Sequence, residues 1–287
     1  MDLNAMIHFG LLVNKAYDIP PDQLTNSAGQ TVTVSFGGVE TSYEVITTVY
    51  ANDLATDMNP ERGKRRVSIG LVLQEPTTGD AVIAVRGTEG IHEWMQDARF
   101  LLVPCPFLAG AGRTEDGFTA VYLSFTTDAA PGSPSVVKAL AGLSWRKPVK
   151  ALTICGHSLG GALVTLLAMD VVLNTKFTEP TVYSYASPRT GDGTFAATYN
   201  HVVQRTCRIA NRMDLVPKLP MPPLYEHVTG LYDLNPVILG LPPRILVKTD
   251  LVCEHILTTY LHLLTHQAGG PILPLEAKCI PLQPLPT

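Results

Sequence analysis

The apolar positions along the chain change their period several times, and the changes mark its elements. Residues 3–17 predict a helix that ends near Tyr17, because Pro20 and Pro21 lack the amide donors a further turn needs. A Gly- and Thr-rich stretch follows, and then apolar runs at about 43–51, 66–74 and 80–86 predict strands. The last two are joined by Glu75-Pro76-Thr77-Thr78-Gly79-Asp80, which reads as a hairpin turn. Helices are expected near 91–102, 116–128 and 134–144. Beyond residue 150 the pattern alternates: strand, helix to about 173, strand 181–186, helix 192–201, strand 203–210, a Pro-rich loop, strand 225–232 and a helix from about 254. Strands alternating with helices in this way predict an α/β fold, a mostly parallel central sheet with helices on both faces.

The 287 residues suit a single large α/β domain spanning 1–287, with a Pro-rich tail at 269–287 laid over the surface. A formal net charge of −4 offers no general attraction for nucleic acid or an anionic membrane. The basic cluster Arg62, Lys64, Arg65 and Arg66 reads as a solvated turn. No run of about 18 apolar residues occurs, so no membrane span is expected. The opening Met1-Asp2-Leu3-Asn4 has neither a basic region nor a cleavage site, which points to the cytoplasm, or to secretion if a leader has been trimmed away. Five scattered cysteines form a poor disulfide framework; Cys155 and Cys207 lie in strand-like runs, while Cys105 and Cys279 sit in Pro-containing loops, free or paired.

Candidate chemistry centres on "LTICGHSLGGALV", residues 152–164. Ser158 stands where a buried strand passes into a helix. A plain helix cap would account for a serine there. Gly156 and Gly160, two residues either side of it, favour a nucleophile elbow, since a side chain at either would strike the other arm of so tight a turn. A phosphate-cradling loop would need a lysine that is absent here.

A serine hydroxyl attacks an ester only with a base to take its proton and an acid to orient that base. In elbow-centred chains both follow the serine, acid first. Asp214, in "CRIANRMDLVPKLP", follows a strand and precedes Pro217, which suits the acid; Asp192 reads as a helix cap, and Asp233 and Asp250 as loop residues. His201, His227, His255, His262 and His266 compete for the base. His255 follows the loop "VKTDLVCE" at the start of the last helix, where a ring can reach the elbow, whereas His157 adjoins the serine and must point elsewhere. A metal site from His255, His262 and His266 with Cys253 is the rival chemistry, but no H-E-x-x-H pattern supports it, so neither metal nor cofactor is expected.

The segments "AVRGTEGIHEW", "EDGFTAVY", "ICGHSLGGAL", "YASPRTGD", "NRMDLVPKLP", "YEHVTG" and "CEHILTTYLHLL" occur in consistent order across about residues 45–265. Together they resemble the class 3 lipase family of the α/β-hydrolase fold, which includes fungal triacylglycerol lipases, feruloyl esterases and plant phospholipases A1. The resemblance implies a serine carboxylester hydrolase with Ser158 as nucleophile, Asp214 as orienting acid and His255 as base. It also implies an oxyanion hole from Thr88 and the backbone N–H of Leu159. Residues 89–103 occupy the family's lid position. There Ile91, Trp94, Met95, Ala98, Leu101 and Leu102 share one helical face, consistent either with a cover that opens toward lipid or with a helix docked on its own core. The expected partner is an ester or lipid substrate, with transient contact at a lipid interface. Glu93-Trp94 and "EHILTTYLHLL" resemble the plant phospholipase branch more closely.

Overall fold

In the computed structural model of the chain, residues 2–53, 65–88, 100–235 and 251–280 are described. The expected N-terminal helix is α1, Leu3–Tyr17, capped by Asp2, whose carboxylate accepts the Asn4 N–H. Strands β1 (Thr31–Phe36), β2 (Val39–Asn52), β3 (Arg66–Gln74) and β4 (Ala81–Val85) follow. A two-stranded ribbon, β5 (Leu102–Pro104) and β6 (Arg113–Glu115), leads into α2 (Asp116–Leu123) and the single turn α3 (Val136–Ala139). Then come β7 (Leu152–His157), α4 (Leu159–Asn174), β8 (Thr181–Tyr185), α5 (Gly193–Val202), β9 (Arg205–Asn211) and β10 (Leu231–Leu234). Two short helices, α6 (Leu251–His255) and α7 (Leu257–Ala268), close the order.

The large sheet runs β1-β2-β3-β4-β7-β8-β9-β10. It is antiparallel from β1 to β4 and parallel from β4 to β10. Each face buries its own core. On one, α1 and α7 set Met6, Leu12, Val13, Tyr260 and Leu264 against Val82, Cys155 and Ile209. On the other, α2, α4 and α5 set Phe118, Leu163, Leu167 and Phe195 against Ile83, Ile154 and Val182. Helix α4 is apolar almost all round because it is enclosed on nearly every side, and its buried residues run from Leu159 to Val171. At roughly 1.5–3 kcal/mol per large side chain removed from water, these two layers are what hold β7 and β9 in register beneath the site.

Several elements differ from the sequence reading. The Gly- and Thr-rich stretch contains β1, which Gly37 and Gly38, at φ 60° and 80°, fold back onto β2 as a hairpin. The helices expected at 116–128 and 134–144 shrink to α2 and α3; Gly142 and a bond from the Trp145 indole N–H to the Leu140 carbonyl turn the chain after the second. The strand expected at 225–232 begins only at Leu231, because Gly230 bends at φ 89° so close to Thr206 that no side chain fits. Leu102 belongs to β5 rather than a helix, and Leu101 is exposed. Ile91, Trp94, Met95 and Ala98 lie outside the described residues, as does Asp250. The last helix is divided: His255 ends α6, extended Ile256 intervenes, and α7 starts afresh. Cys253 and Cys279 form a disulfide, correcting the expectation of a poor framework, while Cys105, Cys155 and Cys207 are buried outside it. Among the described residues no helix is long and apolar enough to cross a membrane.

Candidate active site

Strand β7 delivers Ser158 to the carboxyl edge of the sheet, where the chain reverses at once into α4. The turn holds Ser158 at φ 58°, ψ −125°, a backbone region that costs a non-glycine residue about 1–3 kcal/mol. It is stabilised by the Ser158 N–H donating to the Tyr185 carbonyl at 2.9 Å. A Cβ on Gly156 would collide with the Gly160 carbonyl, and one on Gly160 with the backbone of Val85 and Arg86. The serine side chain makes no capping bond to α4. Of the two readings of this serine, the helix cap therefore fails, and the hydroxyl is left to another partner.

That partner is His255, which α6 brings over the elbow. The Ser158 hydroxyl donates to His255 Nε2 at 2.8 Å, and His255 Nδ1–H donates to Asp214 Oδ2, also at 2.8 Å. Asp214 lies just beyond β9, with its other oxygen accepting the Val216 N–H at 2.9 Å. All three side chains are buried, at 1%, 4% and 1% exposure for Ser158, His255 and Asp214. A buried carboxylate is costly unless its lone pairs are occupied. Tyr260 supplies a further bond, its hydroxyl donating to Asp214 Oδ2 at 2.7 Å. Burial and then the Asp214 charge hold that phenol well above its ordinary pKa, so it stays a donor.

Gly87 closes the other side, packed so tightly that a Cβ there would lie 2.9 Å from the Ser158 Cβ. Thr88 is the next residue along the chain, and Leu159 opens α4. Tyr17, at the end of α1, accepts the Gly87 N–H at 2.8 Å and donates to His157 Nδ1 at 2.7 Å. His157 in turn reaches the His255 carbonyl through Nε2 at 2.9 Å. Burial first, and the neighbouring His255 second, push the His157 pKa well below its usual value, keeping the ring neutral.

With this geometry in hand, the matches to known proteins carry specific weight. The family model described as Lipase (class 3) matches residues 82–223, the stretch from β4 through Thr88, Ser158 and Asp214. Over residues 82–223 the chain is similar to the class 3 lipase family. Among similar proteins, Phospholipase A1-II 7 of Oryza sativa subsp. indica is 33% identical over 49% of the chain and 41% of the relative. The Secreted mono- and diacylglycerol lipase A of Penicillium cyclopium is 28% identical over 74% of the chain and 61% of the relative. The chain thus spans about two fifths to three fifths of the length of these relatives. The Lip2 lipase of Yarrowia lipolytica aligns over 80% of the chain and 78% of its own length, with TM-score 0.56 at 18% identity, a likeness of fold. The α/β-hydrolase architecture common to the family accounts for the sheet and its helices.

The other candidate acids and bases are occupied elsewhere in the chain. Asp192 caps α5, accepting the Phe195 N–H at 2.9 Å, and pairs with Arg113. Asp233 pairs with Arg212 at the surface. His227 bonds the Pro217 carbonyl, and burial followed by the charge of Arg208 lowers its pKa to about 3. His201 is exposed at the end of α5. His262 bonds the Leu273 carbonyl and meets His266 edge-on at 4.6 Å between ring centroids, on a different helix from His255. The Cys253 sulfur is in the disulfide, so the imagined His/Cys cluster does not assemble. Tyr260, Tyr17 and Asn211 are site residues that the sequence reading passed over. Only Tyr260 carried a signal: it falls five residues after His255, on the apolar face of the last helix.

Proposed function

We propose that the chain is a serine carboxylester hydrolase acting on lipid esters. The observation that carries this reading is the continuous relay from the Ser158 hydroxyl through His255 to Asp214 at 2.8 Å per step. In the first half-reaction Ser158 Oγ bonds to the ester carbonyl carbon while His255 Nε2 takes its proton. The negative charge that builds on the carbonyl oxygen is met by the backbone N–H groups of Thr88 and Leu159, where losing one donor costs about 2.7–4 kcal/mol. The intermediate then collapses, the alcohol leaves with the proton from His255, and Ser158 keeps the acyl group. A water deprotonated by His255 releases the acid and restores the serine. Asp214, held by Tyr260, fixes the ring tautomer and stabilises the imidazolium formed on the way.

Mono- and diacylglycerol lipase and phospholipase A1 are names given to relatives, and both denote attack on the carboxylic ester of an acylated glycerol. That shared bond is the substrate class we assign here. The Cys253–Cys279 disulfide supports work in an oxidising compartment, in line with the secreted Penicillium relative and against the cytoplasmic expectation. Exposed Met213, Leu215, Met221 and Leu224, near or beyond Asp214, support contact with an apolar interface.

The test is Ser158→Ala. The variant should keep the wild-type circular dichroism, lose turnover of a chromogenic ester and lose labelling by a fluorophosphonate. Retained turnover overturns the assignment, and a wild-type protein that is folded but never labelled marks a binding module without catalysis.

A further inference from the structure

The base sits on a helix too short to hold itself. Helix α6 has five residues, and its last carbonyls have no helical partners because extended Ile256 breaks the ladder before α7 begins. Three consecutive carbonyls at that end are instead met by three side chains from three different elements. Thr259 of α7 donates Oγ1–H to the Cys253 carbonyl at 2.6 Å. Asn211, the last residue of β9, donates Nδ2–H to the Glu254 carbonyl at 2.9 Å. His157, the last residue of β7, donates Nε2–H to the carbonyl of His255 itself at 2.9 Å. All three side chains are buried.

We propose that His157, Asn211 and Thr259 are positioning residues for the reaction, clamping the end of α6 so that the His255 ring meets both Ser158 and Asp214. This rests on the reading of Ser158, His255 and Asp214 given above. Two of the clamps belong to the segments that carry the other members of the triad. His157 immediately precedes Ser158, so the elbow holds its own base. Asn211 accepts the Asp214 N–H on its carbonyl at 3.1 Å and the Met213 N–H on its side-chain oxygen at 3.2 Å, so one residue ties the acid's loop to the base's helix. The orientation of each donor is fixed in turn. The Asn211 oxygen is committed to Met213, which leaves its amide facing Glu254, and His157 Nδ1 accepts from Tyr17, which leaves Nε2–H for the His255 carbonyl. Ordinary helix caps would protect stability alone. These caps also fix the distance between nucleophile and base, where a displacement of about 1 Å can cost on the order of a hundredfold in rate.

The experiment uses Thr259→Val, Asn211→Leu, His157→Phe and His157→Gln, with wild type and Ser158→Ala as references. Steady-state hydrolysis of a soluble p-nitrophenyl ester is measured well below each melting temperature, together with the rate of fluorophosphonate labelling. The expected result is a kcat lower by roughly tenfold or more in Asn211→Leu and His157→Phe, and by several-fold in Thr259→Val, with KM within about threefold of wild type. Labelling should slow in parallel. His157→Gln, which keeps an N–H donor, should recover at least about threefold of the loss relative to His157→Phe. Folded variants that melt lower yet keep wild-type kcat and labelling overturn the proposal, making the three residues caps and nothing more. If His157→Phe does not fold, the near-isosteric Thr259→Val and Asn211→Leu decide by the same criterion. Activity surviving in Ser158→Ala would instead sink the underlying reading, an outcome separate from any behaviour of the clamps.

Discussion

Glu115 ends β6 and caps α2, its carboxylate accepting the Phe118 N–H at 2.7 Å, and it is buried at 5% exposure. Burial raises its pKa from 4.5 to about 7 against the bonds from Phe118 and Gly117, and the charge of Asp116 adds a little. A carboxyl whose folded pKa exceeds its unfolded value binds its proton more tightly in the native state. The stability it contributes is complete below about pH 4.5 and is lost as pH rises through about 7. With those two values the loss between about pH 5 and about pH 8 is roughly 2–3 kcal/mol. Glu115→Gln keeps an oxygen for the Phe118 N–H and cannot ionise. Urea unfolding of both proteins at the two pH values should show the variant gaining on wild type by about that amount at the higher pH. A stability difference between them that stays constant within about 0.5 kcal/mol would refute the argument, because other titrating groups are common to both.

Three further outcomes follow from the site. Tyr260→Phe removes one of the bonds to the buried Asp214 carboxylate and the acceptor of the Asn211 N–H at 3.0 Å, so urea unfolding should show a loss of about 1.5–3 kcal/mol, with kcat falling as well. Ser158→Gly relieves the strained φ of 58° and should raise stability by about 1 kcal/mol while abolishing hydrolysis; a less stable variant would contradict strain at the elbow. Replacing Cys253 and Cys279 together by serine opens a link across 26 residues and should cost about 3.5 kcal/mol by the chain-entropy relation, read as a lower urea midpoint at unchanged slope.

The parts of the fold that were legible in the sequence are those where one residue type answers one local demand. Gly156 and Gly160 announce the elbow because the turn leaves no space for a side chain, and the strand-to-helix change around Ser158 is written in the apolar period. Asp214 could be chosen over Asp192 from its place after a strand and before a proline, and the structure assigns Asp192 the capping role its sequence context suggested. What was not legible depends on neighbours far along the chain. The hairpin β1 lacks the long apolar run of a central strand, being an edge strand with Val34 as its buried residue. The Cys253–Cys279 pair depends on the tail returning to α6, which no cysteine spacing reveals.

Tyr17 shows why the site itself was only half readable. Its ring ends a helix whose periodicity accounts for it completely as a core residue, and the charged neighbours Lys15 and Asp18 pair with each other at the surface. Yet its hydroxyl joins Gly87, which precedes Thr88, to His157, and through His157 to His255, 238 residues further on. A nucleophile elbow has to advertise itself locally, because backbone crowding is a local property. The network around His255 has no such obligation, since any buried donor on any element can meet a carbonyl provided the sheet brings them together. In this chain the sheet does so by running β7 and β9 parallel with β8 between them, so His157 and Asn211 emerge at one edge and both reach the same short helix. The reactive groups are therefore specified by motif, and their precision by topology.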